Sequence, residues 1–212
     1  MNEKINILVV YMDTIGGVGF YRSRQPHEQL LKQYPDDFSI NFTVNPDFNN
    51  IELFSMYDII HFHKGVFPNQ TGFFNILQFC KENGIVTIVD IDDYWVLNSH
   101  HPQYMMFVQR RDDNFVREAL QKCDYVTTTT KLFADKIKML NKNCVVFPNS
   151  INPEDENFKT TKKPCDKLRV GMVMGSSHKY DVETMEGFVG KLPKEILDKV
   201  CFVLCGFDLR GK

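Results

Sequence analysis

The sequence predicts an α/β protein built on a mostly parallel sheet with helices on both faces. Continuous apolar runs such as Ile5–Tyr11 and Ile85–Asp90 are what parallel strands buried on both faces require. These runs alternate with stretches whose apolar residues recur at helical spacing. A charged, Pro-containing segment at 151–167 has no periodicity, and a new strand-like run follows it.

Taken in order, Ile5–Tyr11 reads as the first strand, followed by the Gly-containing loop Asp13–Gly19. Tyr21–Gln33 is helical and ends at Tyr34-Pro35, and Phe38–Val44 is the second strand. Tyr57–His63 is the third, and Gly72–Asn83 is a helix that Gly84 caps. Ile85–Asp90 is a buried strand, Asp112–Lys122 a helix and Tyr125–Thr129 a strand. Lys131–Leu140 is helical, and Cys144–Phe147 is a strand ending at Pro148-Asn149. The expected organisation is a Rossmann-like domain over 1–150, a linker over 151–167 and an incomplete second Rossmann-like unit over 168–212. That unit comprises a strand at Leu168–Met174, a helix at Val182–Phe188 and a strand at Val200–Leu204. Two strands have too little core to stand alone.

A net charge of −2 provides no overall basic field for nucleic acid or anionic lipid, so no nucleic-acid partner is expected. The 18 Phe residues lie in apolar runs and read as packing. No apolar stretch approaches the ~20 residues of a membrane span, and the start lacks a signal-peptide core. The six Cys are dispersed with no CxxC pair, which fits a reducing cytoplasm; Cys201 and Cys205 read as buried thiols.

Four constellations could carry chemistry. Gly16-Gly-Val-Gly-Phe-Tyr-Arg22 joins the first strand to the first helix, where Gly16, Gly17 and Gly19 would let a ligand approach the backbone. It lacks the dinucleotide-binding spacing, and a plain tight turn fits it equally well. Asp90-Ile-Asp-Asp-Tyr-Trp95 follows a buried strand, so Asp90, Asp92 and Asp93 stand where parallel sheets bind ligands, with Trp95 as a face for a sugar ring. A solvated acidic loop explains the same residues. His61 and His63 alternate on one strand face and could bond a sugar or phosphate; a core role for His61 is as good a reading, and no metal is expected. Gly175-Ser-Ser-His178, after the first strand of the second unit, could meet a diphosphate or sugar or be a polar surface loop.

In order and spacing, these segments resemble the GT-B superfamily of nucleotide-sugar-dependent glycosyltransferases, family 4-like, of the sort common in Bacteroidetes bacteria and their phages. The resemblance rests on Gly16–Arg22 and on Val89–Trp95 followed by His101-Pro102. It extends to Cys123–Lys131 with Val146–Ile151, and to Arg169–His178 with Asp181. It implies two domains facing across a cleft, a nucleotide-sugar donor, and a glycan, lipid-linked or protein acceptor, with no further cofactor. Asp92, Asp90 and Asp93 would be the catalytic candidates, at a place where many relatives carry a His. Gly16, Gly17, Gly19, Tyr21, Arg22, His61, His63, Trp95, Gly175, Ser176 and His178 would bind substrate. The family's later diphosphate-binding Lys or Arg and its Glu-x7-Glu motif have no counterpart before Lys212, so this chain alone is expected to be inactive. The alternative is a non-enzymatic binding or structural module on the same half-fold.

Overall fold

A computed structural model of the chain describes residues 3–11, 17–64, 69–159, 165–175 and 178–206. The chain divides into two compact units, Met1–Val96 with Arg110–Pro153, and Leu97–Gln109 with Glu154–Lys212.

The first unit is a six-stranded sheet of β1 (Ile5–Tyr11), β2 (Phe38–Val44), β3 (Ile59–His63), β4 (Val86–Ile91), β5 (Tyr125–Thr128) and β6 (Cys144–Val146). The strand order is β2-β1-β3-β4-β5-β6, and every pairing is parallel. The fold is therefore α/β and Rossmann-like, as the sequence predicts. Helix α1 (Gly17–Gly19) passes through a π-helical turn at Phe20–Arg24 into α2 (Gln25–Gln33); α3 (Ile51–Ser55) and α4 (Gln70–Glu82) follow. Then come α5 (Tyr104–Arg110), α6 (Asp112–Lys122) and α7 (Lys131–Ile137).

Side chains that alternate along β1 part the core into two faces. Ile7, Val9 and Tyr11 pack with Ile40 beneath Leu30 and Leu31 of α2. Leu8 and Val10 face the other way, joining Ile60, Phe62, Val89, Ile91 and Val126 under α3, α4, α6 and α7. Phe48, Phe54, Phe62, Phe73 and Phe115 are all buried there, with Phe48 and Phe73 edge to face at 5.8 Å, so these Phe serve packing. Helices exchange faces because the chain winds outward from β1 to β2, then outward again from β3 to β6. The direction reverses between β1 and β3, and in open parallel sheets the ligand crevice lies at the carboxyl ends of strands beside such a reversal.

Local chemistry sets the helix ends. The Asn69 side chain accepts the Gly72 amide at 2.9 Å to open α4, and Thr130 caps α7 by accepting from Phe133. Gly84, at φ +71°, turns the chain after α4 in the left-handed region that glycine adopts without cost. Where one helix was expected over Tyr21–Gln33, the structure has a wider turn: Gln25 N–H bonds Phe20 O, five residues back. Pro26 has no N–H to bond the Arg22 carbonyl, which removes a constraint that would have kept this stretch α-helical.

In the second unit β7 (Leu168–Val173) pairs in parallel with β8 (Val200–Cys205), with α8 (Lys179–Thr184) and α9 (Lys194–Leu197) between them. Helix α8 starts three residues before the expected Val182 and stops before Gly187, at φ +75°. None of this unit's described residues is buried. Cys201 and Cys205 are accordingly exposed, correcting the expectation of buried thiols: an apolar run is buried only when something covers it. The segment Leu97–Gln109, expected within a first domain of residues 1–150, clusters with the second unit, and α5 has no buried residue. The stretch expected as a linker holds a short 3-10 turn at Glu156–Phe158.

Candidate functional site

The carboxyl ends of β1, β3, β4 and β5 form one edge of the first unit. Parallel register sets His63 beside Asp90, and Asp90 beside Thr127, so the three form a row across β3, β4 and β5 on one face. His61 lies two residues back in β3, beside Val9 of β1. These positions share the sheet face that α2 covers next to β1.

Arg22, from the π-helical turn, reaches into this row. Its Nε donates to Asp90 Oδ2 at 3.0 Å and its Nη2 to Asp90 Oδ1 at 2.5 Å, a two-point ion pair. Its Nη1 donates to the Phe147 carbonyl and to Asn149 Oδ1 at 3.2 Å, while its guanidinium carbon stands 5.2 Å from the Phe147 ring centre. Thr127 Oγ1 completes the set by donating to Asp90 Oδ1 at 2.6 Å. The side chains are 2% and 0% exposed. One arginine thus ties the turn after β1, the end of β4 and the segment after β6.

Around this pair stand three histidines. His27 of α2 shares a 2.6 Å hydrogen bond between Nδ1 and the Ser23 carbonyl, and its ring lies 4.8 Å from that of His61. Burial lowers the pKa of all three: His27, His61 well below the ordinary value, and His63 to about 4, although Asp90 pulls His63 the other way. They are neutral imidazoles at physiological pH. Asp92 follows β4 and is raised by burial, against the opposing pull of Lys64. Lys64 Nζ bonds Asp93 Oδ2 at 2.8 Å and lies 3.4 Å from Asp92 Oδ1, close enough for an ion pair but outside good hydrogen-bond geometry.

Among the described residues, the buried side-chain polar atoms left without a hydrogen bond are Ser23 Oγ, Gln25 Oε1, His61 Nδ1, His63 Nε2 and Asp92 Oδ1. His61, His63 and Asp92 belong to the ends of β3 and β4, and Ser23 and Gln25 to the π-helical turn that carries Arg22 and the start of α2. Buried polar atoms are ordinarily paired, so such a concentration marks a place where a ligand or water supplies the missing partners.

The structure brings Arg22, His61, His63, Asp90, Asp92 and Asp93 together but divides their work. Arg22 was expected to bind substrate; its burial and four committed donors make it a strut. Asp90 is equally committed, so it supports the edge and has no exposed oxygen for a reactant. Trp95 was expected as a sugar platform, but it is 6% exposed and stacks on Phe133 at 6.0 Å within the core. Tyr94, 52% exposed, is the open ring beside it. Gly17 and Gly19 lie in the turn after β1, Gly19 buried, and Tyr21 sits edge to face with Phe20 at 5.1 Å. Gly175 follows β7 in the second unit, where His178 Nδ1 pairs with Asp181 Oδ2 at 2.8 Å. Gly16 and Ser176 lie outside the described residues. Sequence reasoning missed His27, Lys64, Thr127 and Asn149. Thr127 was legible in principle, since parallel register sets it beside Asp90; the others depend on tertiary contacts.

Among the described residues no group of three His, Cys, Asp or Glu is placed to hold a metal, and no helix is long and apolar enough to cross a membrane. No protein-family model matches the chain, and comparison with curated proteins gives no significant match.

Proposed function

We propose that this edge is the acceptor side of a glycosyl-transfer site, with Asp92 as general base. The observation that carries the reading is the set of buried polar atoms without a hydrogen bond, three of which, on His61, His63 and Asp92, lie at the ends of β3 and β4. Both edge cations are taken, Arg22 by Asp90 and Lys64 by Asp92 and Asp93. The atoms left over suit hydroxyl donors better than a phosphate.

In the proposed step the Asp92 carboxylate, whose side chain is 11% exposed, accepts the proton of an acceptor hydroxyl. That oxygen forms the new bond to the sugar's anomeric carbon, and the bond to the nucleotide diphosphate breaks with its electron pair. A carboxyl raised by burial is a stronger base than a solvated one. Neutral His63 would orient the acceptor through Nε2. The resemblance to GT-B transferases in the four sequence segments supports the donor class, a nucleotide-sugar.

The engagement of Arg22 and Asp90 by protein partners alone favours a second reading, a hydroxyl-binding module without chemistry. The two separate in an assay of the full-length protein with a panel of nucleotide-sugars and hydroxylated acceptors, with product read by mass spectrometry. Transfer that falls ~10²–10⁴-fold in Asp92→Asn at unchanged melting temperature supports the base. An unchanged rate removes Asp92 from the mechanism, and acceptor binding without transfer supports the module.

A further inference from the structure

Lys64 is the first residue past β3, and its backbone is in the left-handed region at φ +48°. A lysine there is strained, because its Cβ crowds the following carbonyl. The conformation is held by the Lys64 amide, which donates to the Asp90 carbonyl at 2.9 Å across the strand ends. The strain has a geometric consequence. The side chain is carried over the loop after β4, where its ammonium meets two carboxylates unequally. Asp93 Oδ2 receives a hydrogen bond at 2.8 Å, while Asp92 Oδ1 lies at a longer 3.4 Å from the same ammonium.

We propose that Lys64 is the positioning residue of this edge: tethered by Asp93, its ammonium stands against Asp92 Oδ1 and keeps the Asp92 carboxylate ionised. This rests on the reading of Asp92 as the base. The charged groups acting on Asp92 are Lys64 from the end of β3, and Asp90 and Asp93 from its own segment. Asp90 is itself neutralised by Arg22, which leaves Lys64 as the favourable charge and Asp93 as both repeller and tether. Strained non-glycine backbone that survives in a fold commonly holds a side chain where function needs it.

The test is a ¹³C carboxyl NMR titration of Asp92 in the unliganded full chain. Lys64→Met is expected to move the Asp92 midpoint to higher pH. Lys64→Gly is expected to do the same while relieving the backbone strain, and so covers the case in which the methionine variant folds poorly. Asp93→Asn is expected to lower the Asp92 midpoint, and to lower it more with Lys64 present than in the Lys64→Met background, because the freed ammonium then closes on Asp92. Equal shifts in the two backgrounds, or a midpoint unmoved by either Lys64 variant, overturn the proposal. The titration reads Asp92 without any transfer reaction. If Asp92→Asn leaves transfer intact while these shifts appear, the reading of Asp92 as base fails and the electrostatic coupling stands.

Discussion

Arg22 and Asp90, 68 residues apart in the chain, form a two-point ion pair in which neither side chain is more than 2% exposed. Burying two charges costs several kcal/mol each, so the pair persists because every Asp90 oxygen and most Arg22 donors are satisfied. Its role is to hold three segments in register at the edge where Asp92 and His63 are presented.

Removing one partner strands the other as a buried charge. Arg22→Met or Asp90→Leu is expected to cost about 3–5 kcal/mol, and the double replacement Arg22→Met/Asp90→Leu less than the sum of the two. Urea unfolding curves of the single and double variants check this. Additive losses would mean that the two residues act separately.

Stability should fall on mild acidification. His63 has a folded pKa of about 4, below its unfolded value near 6.5, so between these values the unfolded chain binds more protons. Its contribution is complete above pH ~6.5 and is lost as pH falls toward about 4, a change on the order of 3 kcal/mol. Lowered His27 and His61 act in the same direction. Denaturation measured from pH 4 to 7.5 should show this slope, and His63→Gln should reduce it by the His63 share.

Trp95 is a core residue, not a platform. Trp95→Ala is expected to cost about 3–5 kcal/mol, and Trp95→Phe, which keeps a ring against Phe133, less. Melting temperatures check the order. A Trp95→Ala variant of unchanged stability would return the ring to the list of ligand contacts.

The thiols divide by burial. Cys165, Cys201 and Cys205 are exposed, whereas Cys80, Cys123 and Cys144 are buried. Burial pushes the Cys80 and Cys123 thiols up to about 12 and raises Cys144, which suppresses the reactive thiolate. A disulfide reagent at pH 8 should modify three thiols quickly in the native protein and all six in denaturant.

By itself the sequence determined the parallel sheet of the first unit. Runs such as Ile5–Tyr11 suit strands buried on both faces, and their alternation with helical periods leaves few other topologies. It set His61, His63 and Asp90–Asp93 at the ends of buried strands, and because parallel strands end together they share one edge. The tertiary structure decided which of these residues are free to act. Asp90, Asp92 and Asp93 are indistinguishable as letters four positions long, yet one is locked to Arg22, one is left with an unbonded oxygen and one holds a lysine. Pairings across 68, 125 or 29 residues obey no local period, since they depend on side-chain reach between strand ends. Burial of Trp95 and exposure of Cys201 and Cys205 were decided the same way: hydrophobicity states a preference, and only the packed neighbours determine whether it is met.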